Sequence, residues 1–457
     1  MTYAFTFDAT FCSGCKACQA ACKDKNNLPL GVLWRRVIEV SGGTWQRNGE
    51  AWNNTVFAYN LSIACNHCIH PKCAGICPTG AYDIREDGIV LLDTTKCIGC
   101  GYCAWGCPYG APQYNPGTGT MSKCNFCVDN IEQGLPPACV AACPMRVLDY
   151  RPADSEMQEF KLWDTPSETH PYPLSPSSHT QPHLAIKSHA AMNTSEEKFV
   201  ANFEEIQPRR PSIWEEAPLI LFTLLTQMAV GGFWAMLWTS LLVRRLSFLL
   251  VGLCLGAGML ASLAHLGKKK NAWRALVNLK RSWLSREVLF TGLFGAGWLV
   301  TILERMIWHR NTVEWLGLTA TLGFGLIYSM AKVYRLPAIP AWNTWKTNAV
   351  FMVSALLLGQ SMMAILLPYG SDVTDIFLLI LLLAQLALIQ KPFSRYPFRS
   401  IRIGLILIGM ALTVINFITG GMVHFWLSIL IFLTVVVEEA IGKWDFYQAA
   451  HDLFLSR

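Results

Sequence analysis

Sixteen of the chain's 17 cysteines lie between Cys12 and Cys143, and they fall into four groups of four. The first is Cys12, Cys15, Cys18 and Cys22; the second is Cys65, Cys68, Cys73 and Cys77. The third is Cys97, Cys100, Cys103 and Cys107, and the fourth is Cys124, Cys127, Cys139 and Cys143. Groups one and three read C-x2-C-x2-C-x3-C, and Pro follows Cys77, Cys107 and Cys143. Three thiolates on one tight loop can hold three irons of a cubic four-iron, four-sulfide cluster. A fourth, set beyond a chain-turning Pro, reaches the neighbouring cluster. The chemistry of such sites is one-electron transfer. Other uses of cysteine fit less well. A disulfide framework needs an oxidising compartment, and the start MTYAFTFDAT shows neither a basic n-region, an apolar h-region nor a twin-arginine pair, so no export signal is expected. Zinc knuckles use paired C-x2-C, whereas two of these groups place three cysteines within seven residues.

The elements that must position these thiols can be read between them. Two short apolar runs flank Glu86-Asp87-Gly88 between Cys77 and Cys97, which predicts a hairpin. A hairpin with a cysteine run at each end makes groups two and three exchange their last members. Cys65, Cys68 and Cys73 then go with Cys107, and Cys97, Cys100 and Cys103 with Cys77. By elimination, Cys12, Cys15 and Cys18 go with Cys143, and Cys124, Cys127 and Cys139 with Cys22. The expected fold of residues 1–150 is α+β and ferredoxin-like, with four [4Fe-4S] clusters in a row acting as a wire.

Residues 151–212 read as a linker, because Pro166, Pro171, Pro173, Pro176 and Pro182 forbid long helices. This segment is expected to wrap the head or a partner. His170, His179, His183 and His189 lack the i, i+4 spacing of a ligand set and are expected to be solvated. Residues 213–457 change character: long runs of Leu, Ile, Val, Phe, Trp and Gly predict an all-α membrane domain. Eight spans are expected, with cores at 217–242, 247–266, 287–307, 313–334, 347–368, 374–390, 402–421 and 424–441. The sixth and the last two are short or closely joined. The loops on the head's side carry fifteen Lys and Arg between Lys268 and Arg457, against Arg244, Arg245, Arg305 and Arg310 opposite. The positive-inside bias therefore puts the head in the cytoplasm. No basic stripe with interleaved aromatics points to nucleic acid, and the net charge is +6.

A wire needs an exit. His265 ends the second span and Glu287 opens the third, so two titratable groups stand at similar depth on the cluster side. A quinone needs such a proton partner near an electron relay. Arg286 beside Glu287, and Gln227 midway along the first span, complete the candidate set. Glu304, Glu438 and Glu439 at the edges of the spans either move protons or pair with Arg305 and Lys443. Bis-histidine haem is not expected, because His265 lies on one side and His309 and His424 on the other.

With these residues in view, the chain resembles the dimethyl sulfoxide reductase family. The head resembles its four-cluster subunit through CIGCGYCAWGCPYGAPQYN at 97–115 and KCNFCVDNIEQGLPPACVAACP at 123–144. The tail resembles the eight-helix anchor subunit through WEEAPLILFTLLTQMAVGGF at 214–233, the His265–Glu287 stretch, KVYRLPAIPAW at 332–342 and EEAIGKWDFY at 438–447. Two normally separate subunits are here fused. The resemblance implies a large catalytic partner carrying molybdopterin, which this chain has no residues to supply. It also implies that His265 and Glu287 sit at the quinone site. The basic loop ending in SWLSRE looks closer to sulfite dehydrogenases, which makes sulfite oxidation the leading expected activity and reduction of dimethyl sulfoxide or an oxyanion the alternative. A molybdenum-free donor of electrons to quinone is the alternative of another class.

Overall fold

A computed structural model describes residues 2–152, 161–162, 180–193, 200–201, 213–239, 245–306, 313–367, 372–389, 398–419 and 423–455. Pro166, Pro171, Pro173 and Pro176, together with His170, His179, His309, Arg244 and Arg310, lie outside the described residues. The chain forms two compact units, Met1–Arg210 with Leu453–Arg457, and Pro211–Asp452.

In the first unit, β1 (Tyr3–Asp8) is buried on both faces: Ala4, Phe5, Thr6 and Phe7 are all inside. A strand covered on both sides is a central strand. It pairs antiparallel with β4 (Leu148–Pro152) and parallel with β6 (Leu184–Lys187), and β5 (Lys161–Leu162) borders β6. A second sheet joins β2 (Arg36–Gly42) to β3 (Phe57–Ile63), with β7 (Val200–Ala201) on the outer edge of β2. Strands from within 151–212 thus belong to both of the larger sheets of the head. This pairing also buries His183, at 7% exposure, against the expectation of a solvated loop. Its backbone N–H donates to Asn66 O at 2.9 Å and its carbonyl accepts from Phe5 N at 3.1 Å. His189 stacks on Tyr59.

The expected hairpin is present. Tyr82–Ile84 pairs with Val90–Leu92, closed by Arg85 N–H donating to Ile89 O at 3.0 Å. Gly88 supplies the positive φ, 79°, that the tight turn requires.

The second unit is a bundle of helices. They are α1 (Ala217–Leu237), α2 (Arg245–His265), α3 (Trp283–Met306), α4 (Val313–Tyr334), α5 (Trp345–Ala364), α6 (Asp372–Leu388), α7 (Phe398–Thr419) and α8 (Val423–Leu455). Among the described residues seven are long and apolar enough to cross a membrane; α6, with 17 residues, is the short one. A helix stands at each of the eight sequence positions, but α8 runs well past 441. Its first carboxylates, Glu438 and Glu439, end the apolar run without ending the helix, because both find partners inside the bundle.

Two glycines set the closest approach. A Cβ on Gly231 of α1 would stand 1.7 Å from Ala355 O of α5, and one on Gly359 would stand 1.9 Å from the Gly231 carbonyl carbon. Small residues at such crossings let backbones touch where lipid offers no hydrophobic drive.

Candidate functional site

The sixteen head cysteines are all free thiols, and most are buried; Cys15 is the exposed one. Their electrostatic neighbours sort them into quartets. Cys12 sees Cys15, Cys18 and Cys143. Cys22 sees Cys127 and Cys139, and Cys124 sees Cys22 and Cys139. Cys68 and Cys73 see Cys65 and Cys107. Cys100 sees Cys77 and Cys97, and Cys103 sees Cys77 and Cys100. Each of these groupings joins the last cysteine of one run to cysteines of another. Two sets also line cavities of their own: Cys65, Cys68, Cys73 and Cys107 one, Cys12, Cys15, Cys18 and Cys143 another. The quartets are more open than a single-ion site: among the described residues no three His, Cys, Asp or Glu side chains converge on one metal ion.

The quartets also lie in a row. Cys18 neighbours Cys139, Cys124 neighbours Cys65, and Cys103 neighbours Cys73. This orders them as 12/15/18/143, then 22/124/127/139, then 65/68/73/107, then 77/97/100/103.

Local backbone explains how short loops deliver three thiols. Left-handed residues recur between the cysteines: Gly14 and Lys16, His67, Gly99 and Gly101, and Phe126 with Cys127. Such turns point successive N–H groups inward, where they can face an anion. Gly99 N–H donates to Cys97 Sγ at 3.3 Å, Phe126 N–H to Cys124 Sγ at 3.4 Å and Ala81 N–H to Cys77 Sγ at 3.4 Å. These donors suit thiolates. Yet burial pushes the bare Cys22 and Cys100 thiols up to about 12. Ionising such groups needs bound metal, whose arrival releases their protons. Buried free thiols, gathered in groups with amide donors on sulfur, fit iron–sulfur clusters.

Sequence reasoning missed a buried cation in this array. Arg35, 2% exposed, lies within electrostatic reach of Cys18, Cys22, Cys124 and Cys139, between the first two quartets. Its Nη1 donates to Ser62 Oγ at 3.1 Å and Ser62 O at 3.3 Å, and its guanidinium covers the Phe5 ring at 4.7 Å. Nε and Nη2 have no hydrogen-bond partner.

In the second unit, Glu287 is buried at 3% exposure near the start of α3, and its Oε1 has no hydrogen-bond partner among the described residues. Tyr334 of α4 and Tyr447 of α8 both lie within its electrostatic reach. The two phenols hydrogen-bond to each other, and Tyr447 Oη is 3.4 Å from Thr223 Oγ1. His265 is half-buried at the end of α2. Arg286 turns to the preceding loop: it donates to Leu279 O at 2.9 Å and Lys280 O at 2.8 Å, and lies over Trp283. Gln227 is fully buried and donates to Phe351 O at 3.2 Å. The Tyr334–Tyr447 pair went unread because its members come from distant helices. Glu438 takes Arg402 as its partner, at 2.8 Å, and Glu439 is held by Ser354 Oγ at 2.7 Å and Gln385 Nε2 at 2.9 Å. His424, buried, has Nδ1 3.1 Å from Asn416 Oδ1 and Nε2 3.3 Å from both Ala364 O and Ser428 Oγ.

Comparison with known proteins follows this division. Residues 56–151 match the 4Fe-4S dicluster domain, and residues 211–395 match the DMSO reductase anchor subunit. The B subunit of anaerobic dimethyl sulfoxide reductase from Escherichia coli is 46% identical over 188 residues, 41% of this chain and 89% of the relative. The YnfG subunit of a probable anaerobic dimethyl sulfoxide reductase, also of Escherichia coli, is 42% identical over 206 residues, 45% of this chain and 98% of the relative. Thiosulfate reductase electron transfer subunit PhsB of Salmonella typhi is 38% identical over 161 residues, 35% of this chain and 80% of the relative. The chain therefore belongs to the dimethyl sulfoxide reductase family, as an iron–sulfur electron-transfer subunit joined in one polypeptide to a multi-pass membrane anchor.

Proposed function

We propose that the chain carries electrons between membrane quinone and a separate molybdopterin catalytic subunit, using four [4Fe-4S] clusters held by the four cysteine quartets. The row of quartets, in one polypeptide with a matched anchor, carries this reading. When bound, the clusters supply one-electron steps. The protein's share is to hold them in line, exclude water and present one end to each partner.

At the membrane end the ligand is a quinol, and it loses two electrons and two protons on becoming quinone. Glu287 has an unpartnered carboxylate oxygen to take one proton, and the Tyr334–Tyr447 pair beside it offers a hydroxyl chain for passing protons on. His265, at the end of α2, is the reserve proton partner, and Gln227 holds the adjoining backbone. Arg286 contributes by fixing the loop before α3. The electrons leave the head for the catalytic partner, which would use two of them with two protons to turn a sulfoxide into a sulfide and water. The names of relatives at 42–46% identity favour this reductive direction over sulfite oxidation. All eight helices are taken to cross the cytoplasmic membrane.

The anaerobically purified chain is expected to hold about sixteen irons with as many labile sulfides, by ligand count. Quinol should reduce these clusters, followed by electron paramagnetic resonance. Glu287→Gln should slow that reduction at least tenfold with iron content unchanged and dithionite reduction intact. Normal quinol reduction in Glu287→Gln and in His265→Ala would place quinone chemistry elsewhere.

A further inference from the structure

Between α5, α6, α7 and α8, at the end of the bundle where α5 and α7 begin, lies a cavity separate from Glu287. One wall is aromatic: Trp342 and Phe446 stack with ring centroids 4.9 Å apart and planes 10° from parallel, and Phe351 adjoins them. The other wall is polar: Gln385, Glu439 and Lys443. Lys443 is 2% exposed, its Nζ has no hydrogen-bond partner among the described residues, and the ammonium rests 4.0 Å from the Phe351 ring centre. A buried ammonium with nothing to donate to is costly, and a site that keeps one is built to be completed by an acceptor.

The other polar groups narrow what that acceptor is. Both oxygens of Glu439 are engaged, by Ser354 and by Gln385 Nε2, and Glu438 is paired with Arg402. Among the described residues this leaves Lys443 Nζ as a free donor and Gln385 Oε1 as a free acceptor on the cavity wall. Among the described residues Arg402 and Lys443 are matched by the carboxylates of Glu438, Glu439 and Asp445, which leaves no positive surplus there to hold a phosphate headgroup. A ligand that fits is neutral, flat enough for the Trp342–Phe446 face, and carries an oxygen that accepts at one position and donates at another.

We propose that this cavity is a second ring site for quinone or quinol, with Lys443 donating to a ring oxygen and Gln385 accepting from a ring hydroxyl. The proposal rests on the quinone reading given above and adds a site that Glu287 does not line. Tyr334 touches Trp342, Phe351 and Phe446 with centroids 5.4 to 5.5 Å away, and it lies within electrostatic reach of Glu287.

A photoactivatable azidoquinone, applied to membranes holding the full-length chain, tests it. Peptides spanning 342–354 or 439–447 should be labelled. The label should fall at least fivefold in Lys443→Met and in Gln385→Leu and persist in Glu287→Gln. Iron content and retention in the membrane identify any variant that fails to assemble, and Lys443→Arg should keep the label. Labelling confined to peptides near 265–291 and unchanged in Lys443→Met would overturn the second site and leave the quinone reading standing. Displacement of the label by anionic phospholipid but not by unlabelled quinone would show a lipid site and overturn the proposal. No label on any helix, together with clusters that quinol cannot reduce, would overturn both.

Discussion

Arg35 is a permanent cation where water barely reaches, and it sits between two sets of thiolates. Adding an electron to a cluster adds negative charge, so a fixed cation alongside favours the reduced form and raises the reduction potential. Arg35→Gln is therefore expected to lower the midpoint potentials of the clusters at 12/15/18/143 and 22/124/127/139 and leave those at 77/97/100/103 nearly unmoved. Potentiometric titration monitored by electron paramagnetic resonance measures this, and Arg35→Lys should recover most of the loss. Equal shifts in all four clusters would contradict the placement. Nothing in the string LWRRVI marks Arg35 for this position, because its partners lie in loops far along the chain. The cysteine quartets were legible because their spacing is itself the geometry of the site. Glu287 was legible as a carboxylate at the mouth of an apolar run, whereas Tyr334 and Tyr447 became neighbours only through packing.

At the scale of elements, the apolar runs place the eight helices of the second unit, and misjudge where α8 stops. A carboxylate ends an apolar run in sequence, but Glu438 and Glu439 are satisfied by Arg402, Ser354 and Gln385, so the helix continues with its polar groups buried. Where α1 meets α5, a Cβ on Gly231 or Gly359 would run into the facing backbone, so glycine is required there. Gly231→Ala and Gly359→Ala should each destabilise the membrane unit by at least about 1–3 kcal/mol through overpacking. Thermal unfolding in detergent would register the change, while the iron content of the head stays constant. Gly256→Ala, with no atom within 4 Å of the added Cβ, is the matched control and should be close to neutral.

For the whole molecule, the asymmetry of basic residues between the two sets of loops argues for one orientation. The positive-inside bias acts through loops close to the membrane, and fifteen Lys and Arg between Lys268 and Arg457 oppose four. In sealed right-side-out vesicles, residues 150–200 should resist added protease, and become cleavable once the vesicles are opened. Cleavage from outside would reverse the orientation. The limits of the two units, by contrast, were only half visible. Prolines between 151 and 212 read as a linker, since a two-residue or four-residue strand leaves too little pattern to recognise.

The pairing of β1 with β6, and of β2 with β7, bears on any attempt to divide this polypeptide. A fragment ending at Tyr150 keeps all sixteen cysteines of the head, yet loses these neighbours of β1 and β2 and leaves two unpaired rows of backbone donors and acceptors. Such open edges recruit strands from other molecules. That fragment should aggregate on light scattering, whereas one ending at Glu205, which retains β6 and β7, should elute as a monomer. An ancestral or engineered fission into separate genes would therefore survive only downstream of Ala201, and the tract that looks dispensable is where self-association is held in check.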